Sequence, residues 1–164
     1  MTANPIPSPV AAGGIVYLMG GFRECVLQDV SLEARGDATR SRAVLWEYNR
    51  DTPYLPSPLL YEGALYFLKS NENILTCLNV QIGAPYYARK RLDGIMGVCA
   101  SPVAARGRVY IVGRNGTTLV LSHGPKYEVL AANVLDDNFD ASPVIAGNEL
   151  YLRGHRVLYC IAGE

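Results

Sequence analysis

The chain has 164 residues, with 15 lysines and arginines balanced by 15 aspartates and glutamates, so its formal net charge is zero. The length suits one domain with a sizeable core, and the charge balance leaves no electrostatic footprint for nucleic acid or an anionic membrane surface. Apolar residues make up 49% of the chain, but they fall in short runs, well below the roughly 20 residues of a membrane-spanning helix.

Taken in order, the N-terminus MTANPIPSPV has neither the charged start nor the apolar stretch of a signal peptide. Ser8-Pro9 opens a first hairpin, PVAAGGIVYLMGG, turning at Gly13-Gly14. A third strand is expected over residues 25–30, then a charged loop insertion around 33–42, and AVLWEYN closes the unit. The stretch LQDVSLEARGDATRSRA has some helical propensity, but Gly36 interrupts it and no apolar stripe follows. Ser57-Pro58 opens the second unit: PLLYEGALYFLK, a turn at SNEN, ILTCLNV, a turn at QIGAP, and YYARKRL. Ser101-Pro102 opens the third, with strands predicted over residues 102–105, 108–113, 117–122 and 127–133. Its turns are Arg106-Gly107 and Asn115-Gly116. Ser142-Pro143 opens the fourth, PVIAGNELYLR, a turn at GHR, and VLYCIAG, one strand short.

The four Ser-Pro pairs start 49, 44 and 41 residues apart, and in each unit a tyrosine follows nine residues after the serine: Tyr17, Tyr66, Tyr110 and Tyr151. Glycine-bearing turns stand at one offset in all four, at Gly13-Gly14, Glu62-Gly63, Arg106-Gly107 and Gly147-Asn148. The runs rich in Val, Ile, Leu and Tyr are strand chemistry. A strand-built period of roughly 40–50 residues is the mark of a β-propeller with one four-stranded antiparallel blade per repeat. The predicted fold is therefore all-β, a single propeller region over 1–164. Its four blades are expected near 8–50, 57–92, 101–134 and 142–164, the last incomplete. The N-terminal leftover carries two prolines and makes a poor closing strand. An open arc of a seven- or eight-bladed ring follows, either a C-terminal part of a longer parent or one of two copies that meet. Its open edges invite missing blades or self-association.

Cys25, Cys77, Cys99 and Cys160 show no C-x-x-C spacing. Cys77 and Cys160 fall at similar places in apolar runs and read as small buried strand residues, too far apart to pair.

The phrase SPV-x-x-x-G-x-VY, with the strand–turn–strand phrases CLNVQIGAPYY and AVLWEYN, resembles the pyrroloquinoline-quinone (PQQ)-binding-like propeller repeats of the quinoprotein dehydrogenase-like superfamily. The resemblance covers essentially the whole chain. The docking motif of that family's enzymes reads roughly A-x-D-x-x-T-G-x-x-x-W. Laid on Cys77 to Tyr87, its Asp falls on Asn79, its Thr on Ile82, its Gly on Gly83 and its Trp on Tyr87, and in the first unit only Trp46 matches. A motif so eroded implies a non-catalytic relative, a protein- or ligand-binding scaffold that needs no cofactor, in a bacterial parent with a periplasmic or otherwise extracytoplasmic setting. The alternatives are a part of a PQQ- and calcium-dependent alcohol or sugar dehydrogenase, and a sensor domain of a larger protein.

No catalytic constellation and no metal site are predicted. Asp136, Asp137 and Asp140 in VLDDNFDASP are the acidic candidates for calcium, read here as solvated loop acids. His123 and His155 are expected at opposite ends, and no cysteine is expected near a histidine. Arg89-Lys90-Arg91 reads as a solvated outer edge. Chain direction alternates along each blade, so the loops leading into each first strand and those between second and third strands share one end, the mouth of the central funnel. That end is expected to gather Arg23, Glu24, Tyr54, Asn71, Asn73, Cys99, Arg114, Asn115, Phe139, Asp140, His155 and Arg156. It is the predicted face for a protein, peptide or sugar-like ligand.

Overall fold

The computed structural model describes residues 4–39, 41–69 and 72–163. Four antiparallel sheets follow one another in chain order, each built from consecutive strands. The first holds β1 (Val10–Ala12), β2 (Ile15–Gly20), β3 (Val26–Ser31) and β4 (Val44–Glu47). The second holds β5 (Leu59–Tyr61), β6 (Ala64–Lys69), β7 (Ile74–Asn79) and β8 (Pro85–Arg91). The third holds β9 (Val103–Ala105), β10 (Arg108–Val112), β11 (Thr117–Ser122) and β12 (Val129–Val134). The fourth has three strands, β13 (Val144–Ala146), β14 (Glu149–Arg153) and β15 (Leu158–Ala162).

The first-to-second-strand turns form where the sequence places them. Gly13-Gly14, Glu62-Gly63 and Arg106-Gly107 have positive φ at both central residues, the geometry whose twist matches that of the flanking strands. In the third sheet the fourth strand begins two residues later than its apolar run suggested. The segment after β3 is a loop. Its turns are closed by Thr39 N–H on Asp37 Oδ1 at 2.8 Å and by Arg35 Nη1 on the carbonyls of Leu32, Glu33 and Ala34.

Each blade has a rear face, toward the preceding blade, and a forward face, toward the following one. Strand register assigns the residues. Tyr17, Tyr66, Tyr110 and Tyr151 stand forward, paired with Asp29, Cys77, Val120 and Cys160. Val16, Leu65, Val109 and Leu150 stand rearward, paired with Val30, Leu78, Leu121 and Ile161. Three apolar clusters fill the gaps between successive blades. One joins Tyr17, Met19 and Leu27 to Leu65, Phe67 and Leu78. The next joins Tyr66, Leu68, Leu75 and Cys77 to Val109, Ile111, Leu119 and Leu121. The third joins Val112 to Leu152 and Phe139. Burial of this apolar surface is the main favourable term holding blade to blade.

Polar links set the register between blades. The serines of the Ser-Pro pairs form a ladder along the inner rim. Ser8 N–H donates to Ser57 Oγ, Ser57 N–H to Ser101 Oγ and Ser101 N–H to Ser142 Oγ, each at 2.9 Å. The Trp46 ring lies over Gly83 in the β7–β8 turn, and its Nε1 donates to Val80 O at 3.2 Å. A Cβ on Gly83 would sit 2.5 Å from Trp46 Cδ2, so this turn needs glycine for space as well as for its φ of 66°. At the far end of the gap between the second and third blades, Tyr66 OH accepts from Gly124 N–H at 3.2 Å and meets His123 Nδ1 at 2.8 Å.

One expectation is corrected and another extended. Cys77 is buried as predicted, but Cys160 is exposed. It holds the same place on its blade, where no fifth blade covers it. Arg89 is exposed on the outer strand as expected, and its guanidinium also pairs with the buried carboxylate of Asp51. The register of β7 and β8 shifts around Thr76, and Arg89, at a φ of 56°, opposes it. This bulge turns the side chain toward the preceding linker. Among the described residues no helix is long and apolar enough to cross a membrane.

Candidate functional site

The loops at the funnel end come together as the alternating chain direction requires, but they divide into holders and presenters. Asn73 and Asn115 are holders. Asn73 accepts from Gly97 N–H at 2.8 Å and donates to Ile95 O at 2.9 Å. Asn115 accepts from Met96 N–H at 3.0 Å and donates to Gly94 O at 2.9 Å. Between them the two amides satisfy the backbone of the linker into the third blade, which has no strand partner of its own. Phe139 is also a holder. It is buried against Tyr159, ring centroids 5.7 Å apart, and anchors the next linker. These three residues build the face rather than present to a partner. Their amide and aromatic types fitted either role in the sequence.

Toward the first blade, Tyr54 stacks on Phe22 at 5.1 Å and accepts from Asn4 Nδ2 at 3.2 Å. The Arg23 guanidinium carbon lies 5.3 Å from the Phe22 centroid, a cation–π arrangement. Glu24 is exposed beside it. Asn71 lies outside the described residues.

The presenting groups converge between the third and fourth blades. Arg114 comes from the β10–β11 loop, Asp140 from the linker into β13, and His155 from the β14–β15 loop. Arg114 Nε donates to Asp140 Oδ1 at 2.6 Å, and His155 Nε2 lies 2.9 Å from Asp140 Oδ2. His155 first, then Arg114, holds the Asp140 carboxyl below the usual carboxylate range. Backbone bonds fix the three loops: Arg114 N–H to Gly97 O at 3.0 Å, Phe139 N–H to Arg114 O at 3.2 Å, and His155 N–H to Asn138 O at 2.9 Å. Cys99 borders the same carboxylate, and burial is the leading cause that pushes its thiol pKa up. A cysteine and a histidine thus share one aspartate, which the sequence reading did not expect. A thiol whose pKa is raised is a poor nucleophile, so the pairing does not make a Cys-His catalytic couple.

Arg156 and the other two acids form a second knot. Arg156 Nη2 lies 3.1 Å from Asp136 Oδ2, and its Nε lies 3.6 Å from Asp137 Oδ1. Asp136 is solvent-exposed as expected, but Asp137 is buried. Burial works against the charge of Asp137. The backbone N–H groups of Asn138, Arg156 and Val157 outweigh it and hold the carboxyl below its usual range. The reading of Asp137 as a solvated loop acid is therefore corrected. It is a structural anchor with one donor, Asn138 N–H, in its own turn and others from the next blade, which nothing in the DDNFD string signals.

A second carboxylate was also missed. Asp51, in the linker after the first blade, is buried and takes Lys69 Nζ at 3.2 Å together with the Arg89 guanidinium. Its partners come from different strands of the second blade, so no local motif marks it.

The carboxylates do not fit the calcium ion that a quinone cofactor would require. Calcium needs six to eight converging oxygens, whereas Asp137 is saturated by backbone donors and Asp140 by two side-chain donors. Among the described residues no group of three or more His, Cys, Asp or Glu side chains converges as metal ligands would.

No protein-family profile and no curated protein matches the sequence. Solved structures do match. The computationally designed Ika4 protein superposes with a TM-score of 0.73 at 9% identity, covering 99% of this chain and 93% of that one. BamB from Moraxella catarrhalis gives 0.52 at 10% identity over 97% of this chain and 60% of its own. A europium-containing methanol dehydrogenase gives 0.57 at 12% over 77% and 24%. The fold is a β-propeller. At such identities the likeness is one of fold, and the chain spans less than two thirds of the length of BamB and about a quarter of that of the methanol dehydrogenase.

Proposed function

We propose that this chain is a non-catalytic PQQ-like propeller module that binds a protein or peptide on its funnel face, at the blade 3–blade 4 junction. The observation that carries the reading is the Arg114–Asp140–His155 cluster. Three loops from two blades and a linker hold these side chains half-exposed, with Arg156 beside them. Arg114 has five donors, and only Nε is engaged with Asp140. The remaining fork suits a carboxylate or a main-chain carbonyl of an incoming chain. The holders Asn73, Asn115 and Phe139 keep the loops rigid, which lowers the ordering cost of binding.

The test is a displayed-peptide selection on the intact chain, followed by titration of the enriched peptides against the wild type and the Arg114→Ala/His155→Ala variant. A loss of roughly tenfold or more in affinity is expected, in line with removal of a charged hydrogen-bonding pair. Equal binding by the variant moves the site elsewhere. A parallel titration with PQQ and calcium, read by Trp46 and tyrosine fluorescence, should show no saturable quenching. Calcium-dependent saturation would replace this reading with the dehydrogenase one.

A further inference from the structure

The interaction the molecule advertises most directly is with itself, and the inference is independent of the funnel-face reading. Each internal blade junction joins a forward face to a rear face. Along the chain the forward faces of the first three blades and the rear faces of the last three are used up. One of each remains, on opposite ends of the arc.

The free forward face belongs to the fourth blade. It carries Tyr151 and Cys160 where the second blade has buried Tyr66 and Cys77, and Leu158 where that blade has buried Leu75. Leu158 is 66% exposed and Leu75 is 0% exposed. The position, not the residue type, makes the difference. The free rear face belongs to the first blade. Val16 and Leu18 stand there half-buried, beside Val30, which is itself buried, at the register positions of Leu65 and Phe67, which are fully buried in the second blade. Both faces also carry polar side chains, with Glu149 on the forward face bonded to Tyr151. Arg153 lies on the forward face beside Leu158, and Glu47, bonded to Gln28, lies on the rear face.

The serine ladder supplies the polar half of the argument. Its two ends are unused among the described residues. Ser142 has a backbone N–H with no serine to receive it, and Ser8 has an Oγ that accepts from no preceding serine's N–H. Every internal rung is this same pairing at 2.9 Å.

We propose that two copies of this chain close head to tail into one ring of eight blades. The fourth blade of each copy packs its forward face on the rear face of the first blade of the other, and Ser142 N–H donates to Ser8 Oγ across both junctions. The contact is heterologous, so it generates a closed ring only if the turn per blade divides the circle, and open filaments otherwise. Two arcs of four related by a two-fold axis satisfy closure. The missing fourth strand of the last blade lies at the outer rim and is not needed for it.

The experiment is light scattering and sedimentation of the 164-residue chain across a dilution series. A single species of twice the 17.8 kDa chain mass is expected. Leu158→Glu, on a face exposed within each copy, should give a monomer with unchanged circular dichroism. Arg91→Glu, on the outer strand of the second blade, should leave the dimer intact. Ser8→Ala, which removes only the ladder acceptor, should raise the dissociation constant roughly three- to tenfold per junction. Thiol labelling of Cys160 should be slow in the dimer and fast in Leu158→Glu. A monomer at all concentrations overturns the proposal, as does an open series of higher oligomers. A dimer indifferent to Leu158→Glu also overturns it, because it would pair through the β15 edge instead.

Discussion

Two buried aspartates show how the same side chain is used in opposite senses. Asp29 accepts from Leu45 N–H at 3.0 Å and Trp46 N–H at 2.7 Å, where the β3–β4 register shifts. Its pKa is raised all the same, because burial outweighs those two bonds. Asp137 accepts from more backbone donors, with Arg156 alongside, and its pKa is lowered. The consequences for stability differ in sign. A depressed folded pKa contributes stability that is complete above the unfolded value of about 3.9 and is lost as pH falls through the folded value. A raised one opposes folding at neutral pH, and that cost is relieved on acidification. Asp137→Asn should therefore be less stable than wild type at pH 7 and should lose less further stability below about pH 4. Urea titrations at several pH values read this directly. Parallel wild-type and variant curves would contradict it.

At the scale of elements, the β7–β8 turn is the clearest contact between one blade's sequence and its neighbour's packing. Gln81 N–H bonds Asn79 Oδ1 at 2.8 Å and Gly83 N–H bonds Asn79 O at 2.9 Å. The turn then offers a flat backbone surface to Trp46. Gly83→Ala places a methyl group against the indole at a positive φ. Strain at such a position is of order 1–3 kcal/mol, and the overlap with an aromatic ring adds to it. A loss of about 2 kcal/mol or more in urea unfolding is expected, with a changed Trp46 emission in the folded state. An unchanged midpoint would mean that the blades separate enough to accept the methyl, and that this contact does not hold them.

For the whole molecule, stability in a repeat array is a sum of blade terms and neighbour terms. The middle blades are covered on both faces, while the fourth is a three-stranded sheet with one neighbour. In a chain held monomeric by Leu158→Glu, amide hydrogens of β14 and β15 should exchange faster than those of β6, β7, β10 and β11. Uniform protection across all four blades would show that the array opens only as a unit.

The repeat period, the hairpin glycines and the tyrosine nine residues after each repeat's serine were all legible in the sequence, because each reflects local strand and turn geometry. Ser-Pro punctuation placed the blades, and chain direction alone placed Arg114, Asp140 and His155 at one end. The division of that end into holders and presenters was not legible. Asn115 and Arg114 are adjacent in one turn, yet one is spent on a linker backbone and the other reaches across to Asp140, and only the packing of the linkers decides which. The same holds for Cys77 and Cys160, alike in sequence and opposite in exposure. Strand and turn chemistry alone sets which residues of an inner strand share a face, since side chains alternate with a period of two. Which face points to which neighbour, and whether it is covered, follows from the packing of blade on blade, because burial depends on a partner that no strand carries in its own sequence.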